Sequence, residues 1–178
     1  MIRRIAVTGP ESTGKSILAM QLADHYGTVW VPEYAREYIN QLGRPYEESD
    51  ILAIAKGQLQ HEQEAEMIVE QVKNREKYLF SDTEALVTKI WSDVKYDRCD
   101  PWILDQVKTH VYDLYLLCDI DIPWEYDPQR EHPELREHLF NFYHEELLEH
   151  NRNFRVVSGI GEDRLKNAIK FIDACFIS

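Results

Sequence analysis

The chain has 178 residues, 44% of them hydrophobic and 29% charged, the proportions of a globular domain rather than a disordered segment. Twenty basic residues against 32 acidic ones leave a net charge of −12. That balance argues against nucleic acid as a partner, because such binding needs a basic footprint, and against an anionic membrane surface. Cys99, Cys118 and Cys175 are odd in number, far apart and form no CxxC pair, so they suggest neither a zinc site nor a disulfide framework. They read as small apolar fillers in a reduced protein. Met1 leads straight into an apolar strand without a leader pattern, and no apolar run approaches the ~18 residues that cross a bilayer, so a cytoplasmic location is expected.

Without repeats or linkers, residues 1–178 read as a single domain. Ile2 to Thr8 predicts a strand and Gly14 to Tyr26 a helix, with Ile17, Leu18, Leu22 and Tyr26 on one face and Gly27 closing it. Thr28 to Val31 predicts a second strand, ended by Pro32, and a helix runs from about Glu33 to Gly43. A long polar helix is expected from Asp50 to Lys77, although Gly57 inside it costs up to ~1 kcal/mol relative to Ala. Tyr78 to Ser81 is the third strand, and Leu86, Ile90 and Val94 mark the next helix. Val111 to Cys118 is the fourth strand. Four prolines between Pro101 and Pro133 argue for a loop, and a helix starts at Pro133 with Leu135, Leu139, Phe142 and Leu147 as its apolar stripe. Phe154 to Val157 is the fifth strand and Asp163 to Cys175 the last helix. Strands alternating with helices imply an α/β sandwich around a parallel sheet.

The strongest chemical signal is Gly9-Pro10-Glu11-Ser12-Thr13-Gly14-Lys15-Ser16, a complete G-x-x-x-x-G-K-S between a strand and a helix. Glycines let the backbone wrap a phosphate so that successive N–H groups face its oxygens, and the helix start adds unsatisfied donors. Lys15 can reach the β- and γ-phosphates and the Ser16 hydroxyl can ligate Mg²⁺. Asp82 ends the third strand, where a carboxylate beside a P-loop serves the metal; a helix cap and a substrate-hydroxyl contact are the other readings. Glu33 lies beyond the second strand, a ligand-binding position in open α/β sheets. It can accept a hydroxyl proton, or it forms an ordinary surface pair with Arg36 one turn on. After the fourth strand, Arg130 and Arg136 can fold over transferring phosphates, or they are solvated arginines balanced by Glu131, Glu134 and Glu137. Trp124 stacks on a planar ring or anchors the loop. Gly159-Ile160-Gly161 is an adenine-side loop or a simple turn. The seven histidines show no metal-ligand spacing.

At these residues the sequence resembles the ribosylnicotinamide kinase domain of NadR proteins, within the P-loop nucleoside and nucleotide kinases. The matching pieces are Gly9 to Ser16, the E-Y-x-R-E of Glu33 to Glu37, Ala55-Lys56-Gly57-Gln58, Asp82-Thr83 and the W-x-x-D-x-x-R of Trp124 to Arg130. Gln58 stands where some members carry His. The resemblance implies a P-loop three-layer sandwich with a five-stranded parallel sheet in the order 2-3-1-4-5. Helices would cover both faces, and an Arg-bearing lid would span about residues 119–136. It implies ATP with Mg²⁺, and transfer of the γ-phosphoryl group to the 5′-hydroxyl of nicotinamide riboside. Gly9, Glu11, Ser12, Thr13, Gly14, Lys15, Ser16, Ile17, Arg130 and Arg136 would serve the nucleotide. Glu33, Tyr34, Arg36, Gln58, Asp82, Trp124 and Asp127 would serve the acceptor, and Ser16 and Asp82 the metal. Lys15, Glu33, Arg36, Asp82 and Arg130 would be catalytic. A kinase of another nucleoside or nucleotide, and a regulatory ATPase module without an acceptor, are the alternatives. The resemblance extends neither to the H-x-G-H-type motif of the NadR adenylyltransferase nor to the N-terminal DNA-binding domain of some members, so neither adenylyl transfer nor operator binding is expected of this sequence.

Overall fold

Strand β1, Ile2–Thr8, lies in the middle of the sheet. The computed structural model describes residues 1–73, 77–130 and 133–176. Along the chain β1 is followed by α1 (Lys15–Tyr26), β2 (Trp30–Val31), α2 (Tyr34–Leu42), α3 (Glu48–Gln71) and β3 (Lys77–Asp82). Then come α4 (Ala85–Tyr96), α5 (Pro101–Thr109), β4 (Leu114–Cys118), a 3₁₀ turn at Pro133–Leu135, α6 (Arg136–Glu149), β5 (Phe154–Val157) and α7 (Glu162–Phe176). The strands lie in the order β2-β3-β1-β4-β5 and every neighbouring pair is parallel, as expected.

Strand alternation decides what covers each face. Ile5 and Val7 point to one side, against Leu18 and Leu22 of α1 and Ala168 and Ile172 of α7. Ala6 points to the other, against Leu86 and Ile90 of α4 and Leu139 and Leu147 of α6. Leu79 of β3 is covered by Ala65 and Val69 of α3. With both faces covered, the central strands read as continuous apolar runs, as parallel sheets require.

Several elements differ from the sequence expectation, among them α6, which begins at Arg136 after a 3₁₀ turn rather than at Pro133. Strand β2 has only two residues, because the Thr28 N–H caps α1 at Ala23 O (2.9 Å) and its hydroxyl donates to Tyr78 O (2.7 Å). Helix α3 starts earlier, on a capping box between Glu47 and Asp50, and it stops at Gln71 where Val72 turns extended; Lys77 already belongs to β3. Residues 74–76 of the expected helix lie outside the described residues. Helix α5 was not expected: Asp100 accepts from Trp102 N at 2.8 Å and Pro101 occupies the first turn, so this proline starts a helix rather than breaking one. Strand β4 begins at Leu114 rather than Val111, since the Asp113 N–H bonds Arg4 O (2.8 Å) and its carboxylate takes the Arg4 N–H (2.9 Å).

Gly57 also finds its reason in the fold. A Cβ there would lie 2.0 Å from Cε1 of Tyr34, so the long helix gives up propensity to let α2 pack against it.

Candidate active site

Between β1 and α1 the backbone turns through Gly9 (φ +129°), Ser12 (φ +55°) and Gly14 (φ +76°). Gly9 is needed for space as well as conformation, because a Cβ there would meet the carbonyl oxygen of Cys118 at 3.1 Å. The loop carbonyls are bonded from within the protein. The Thr13 hydroxyl and Lys15 Nζ both donate to Pro10 O at 2.8 Å, Arg136 donates to Ser12 O at 3.1 Å, and Arg164 donates to Thr13 O. A cleft of about 280 Å³ opens in front, lined by the whole loop from Gly9 to Ile17 together with Glu33, Arg36 and Arg130.

Asp82 ends β3 beside this loop at 1% exposure, and neither carboxylate oxygen has a hydrogen-bond partner among the described residues. Burial pushes its pKa up to about 6, helped by the charge of Glu33 and opposed by Lys15, Ser16 and Arg36. These five side chains therefore share one electrostatic site. The next residue, Thr83, holds φ +72°, costly for a β-branched side chain, while its N–H extends the pairing to Val7 O (3.1 Å). Glu84 follows as the cap of α4, accepting from Thr8 Oγ1 (3.1 Å) and Leu86 N (2.5 Å); burial raises it to about 7. A buried carboxylate with unused oxygens near a P-loop hydroxyl suits Mg²⁺, which takes one or two protein ligands and completes its shell with phosphate and water. Among the described residues no group of three or more His, Cys, Asp or Glu could hold a metal alone.

The segment after β4 is pinned to both neighbours. Glu125 N donates to Ser12 Oγ at 2.9 Å and Arg130 reaches the same oxygen at 3.3 Å. Arg36 of α2 donates to Asp127 at 2.8 Å, and the Gln129 N–H and Arg36 together hold Asp127 below the usual carboxylate range.

Residues 4–164 match the AAA domain family. The chain belongs to that family. This AAA domain is 30% identical over 135 residues to the trifunctional NAD biosynthesis/regulator protein NadR of Escherichia coli (strain K12), and 27% identical over 135 residues to that of Salmonella typhimurium (strain LT2). Each match covers 72% of this chain and 31% of the relative, so the chain spans about a third of those curated relatives. A solved structure of a NadR protein in complex with NR is similar in fold, with a TM-score of 0.80 at 22% identity, covering 97% of this chain and 49% of that one.

The AAA domain brings Gly9 to Ile17, Glu33, Arg36 and Arg130 to one cleft, but several candidate residues lie elsewhere. Tyr34 packs on α3, its ring edge-on to His61 at 4.8 Å, and does not line the cleft. Gln58 is a clamp: its Oε1 accepts the Tyr34 N–H (2.8 Å) and its Nε2 donates to Asp82 O (3.4 Å), fixing α2 to the end of β3. It lines a second, narrow cavity that also includes Glu33. Trp124 carries the guanidinium groups of Arg130 and Arg136 at 6.0 and 5.9 Å and does not line the cleft. Arg136 directs Nη2 at Ser12 O and Ile122 O, while its buried Nε has no hydrogen-bond partner among the described residues. Glu131, offered as a balancing charge, lies outside the described residues. Sequence reasoning missed Glu84, Arg164 and the apolar wall of α4, where Val87, Ile90, Trp91 and Val94 face the cleft. Val87 and Trp91 were detectable beside the helix markers Ile90 and Val94, the four falling at i, i+3, i+4, i+7.

Proposed function

We propose that this AAA domain is an ATP-dependent kinase that phosphorylates the 5′-hydroxyl of nicotinamide riboside, giving nicotinamide mononucleotide and ADP in the cytoplasm. The observation that carries this reading is one cleft lined by the P-loop together with Glu33 and Arg36 beyond β2. A carboxylate on the cleft beyond β2 can orient an acceptor hydroxyl and take its proton, the role that a kinase needs filled. The similarity to NadR, one of whose structures holds NR, supports this acceptor among nucleosides.

In this mechanism the loop N–H groups and Lys15 hold the β- and γ-phosphates, and Ser16 and Asp82 are the metal side of the site. Mg²⁺ supplies charge neutralisation on the phosphate oxygens when bound. Glu33 accepts the hydroxyl proton as the new O–P bond forms and the bond to the ADP oxygen breaks. Phosphoryl transfer is largely dissociative, so orientation of the hydroxyl by Glu33 accounts for much of its effect. Arg130 and Arg36, both on the cleft, offset charge on the transferring group. The test is to incubate the protein with ATP, Mg²⁺ and a panel of nucleosides and to identify products by mass. Nicotinamide mononucleotide is the expected product. ADP without any phosphorylated nucleoside would replace this reading with that of a regulatory ATPase.

A further inference from the structure

Arg164 lies on α7 and takes no part in the proposed phosphoryl transfer. It is 5% exposed, yet its guanidinium bonds three separate segments at the carboxyl edge of the sheet. It donates to Thr13 O in the P-loop, to Asp119 O (3.2 Å) and Asp121 Oδ1 after β4, and to Gly159 O (2.8 Å) after β5. Asp121 closes the ring by accepting the Gly159 N–H on its other oxygen at 2.5 Å. The turn wraps so tightly that a Cβ on Gly159 (φ +106°) would come within 3.0 Å of Arg164 N.

The bond to Thr13 O has a directional consequence. In a trans peptide the C=O and the following N–H point in opposite directions, and this chain has no cis peptide among the described residues. Holding the Thr13 carbonyl toward the protein therefore turns the Gly14 N–H the other way, and Gly14 lines the cleft. An N–H aimed there belongs to the nest that receives an anion. Gly14 has φ +76° and no side chain to lock it, so its peptide would otherwise be free to turn.

We propose that Arg164 is a positioning residue for the phosphate donor: by gripping the Thr13 carbonyl it aims the Gly14 N–H at the phosphates. Through Asp121 and Gly159 it ties that orientation to the turn preceding α7. The inference rests on the reading that the P-loop binds a nucleotide and is independent of which acceptor is used.

The test measures binding of ADP and of inorganic pyrophosphate by calorimetry, for the wild type, Arg164→Lys and Asp121→Asn, beside thermal melts and the KM values for ATP and nicotinamide riboside. A lysine can serve one of these partners but not all. Both Kd values should rise about tenfold or more in Arg164→Lys, the scale of one hydrogen bond to a charged group. Asp121→Asn should move them in the same direction by less, with the KM for the riboside within about twofold of wild type on the same scale. If Arg164 only supports the fold, the melts shift while both affinities stay at the wild-type value, and that result overturns the inference. Should Arg164→Lys fail to fold, unchanged affinities in Asp121→Asn overturn it equally. A wild type that binds neither probe overturns the nucleotide reading as well, which separates the two failures.

Discussion

Asp82→Asn should gain stability relative to the metal-free wild type as pH rises, while losing its activity. The Asp82 pKa rises from 3.8 to about 6 on folding, chiefly through burial and then through the charge of Glu33. Between those values the native state binds the proton more tightly than the unfolded chain, so stability falls as pH rises through the window. At 1.36 kcal/mol per pH unit, the full penalty above pH 6 is on the order of 3 kcal/mol. The asparagine amide is neutral at every pH, and its unsatisfied donors cost about 1–3 kcal/mol independently of pH. The informative quantity is therefore the change in the stability difference between variant and wild type. That difference should move in favour of Asp82→Asn by roughly 2 kcal/mol between about pH 4 and about pH 8. For a chain of this size it amounts to a relative Tm shift of about 4–8 °C. Thermal and urea denaturation in chelator, without nucleotide, measure it. Adding Mg²⁺ and ATP should stabilise the wild type more than the variant, because binding to the native state adds stability by mass action. A stability difference that is flat with pH, or that moves the other way, would refute the argument that buried charge at Asp82 is held against its own cost.

Glu33→Gln keeps size and most hydrogen bonding, and should lower kcat at least ~10²-fold with ATP affinity little changed; near-normal turnover in a folded variant would end the catalytic assignment of Glu33 and move the base role to Asp82. Lys15→Ala should lose turnover at any Mg²⁺ concentration, whereas the loss in Ser16→Ala should be partly recovered by raising Mg²⁺, and an identical Mg²⁺ response would erase that division of roles. Gly57→Ala places a methyl 2.0 Å from the Tyr34 ring. Overpacking of about 1–3 kcal/mol should outweigh the ~1 kcal/mol gain in helix propensity, while in a Tyr34→Ala background the same change should stabilise, as denaturation of the double-mutant cycle would show.

Much of this protein was legible before any tertiary contact was known. The strand, the glycine turn and the helix around Lys15 are local chemistry, in which conformational freedom at Gly9 and Gly14 and a positive φ at Gly27 follow from residue type. The alternation of strands and helices was likewise local, because burial on both faces of a parallel sheet writes itself as apolar runs. Even α5 has a local signal in Asp100-Pro101, at the head of a proline-rich stretch. Other features had no local signal. Glycine at position 57 makes sense only once Tyr34, 23 positions earlier in the numbering, is laid across it. Gln58 joins α2 to the end of β3 because both its partners arrive from elsewhere in the chain. Arg136 and Arg164 are long, flexible donors, and their partners were settled by which carbonyls the folded loops left unbonded. Arg164 and Thr13 stand 151 residues apart, so no pattern in the sequence joins them. The sequence determined that a phosphate-binding turn would form; the packing of α7 against the sheet decided which side chain holds it, since a buried carbonyl takes whichever donor the fold delivers.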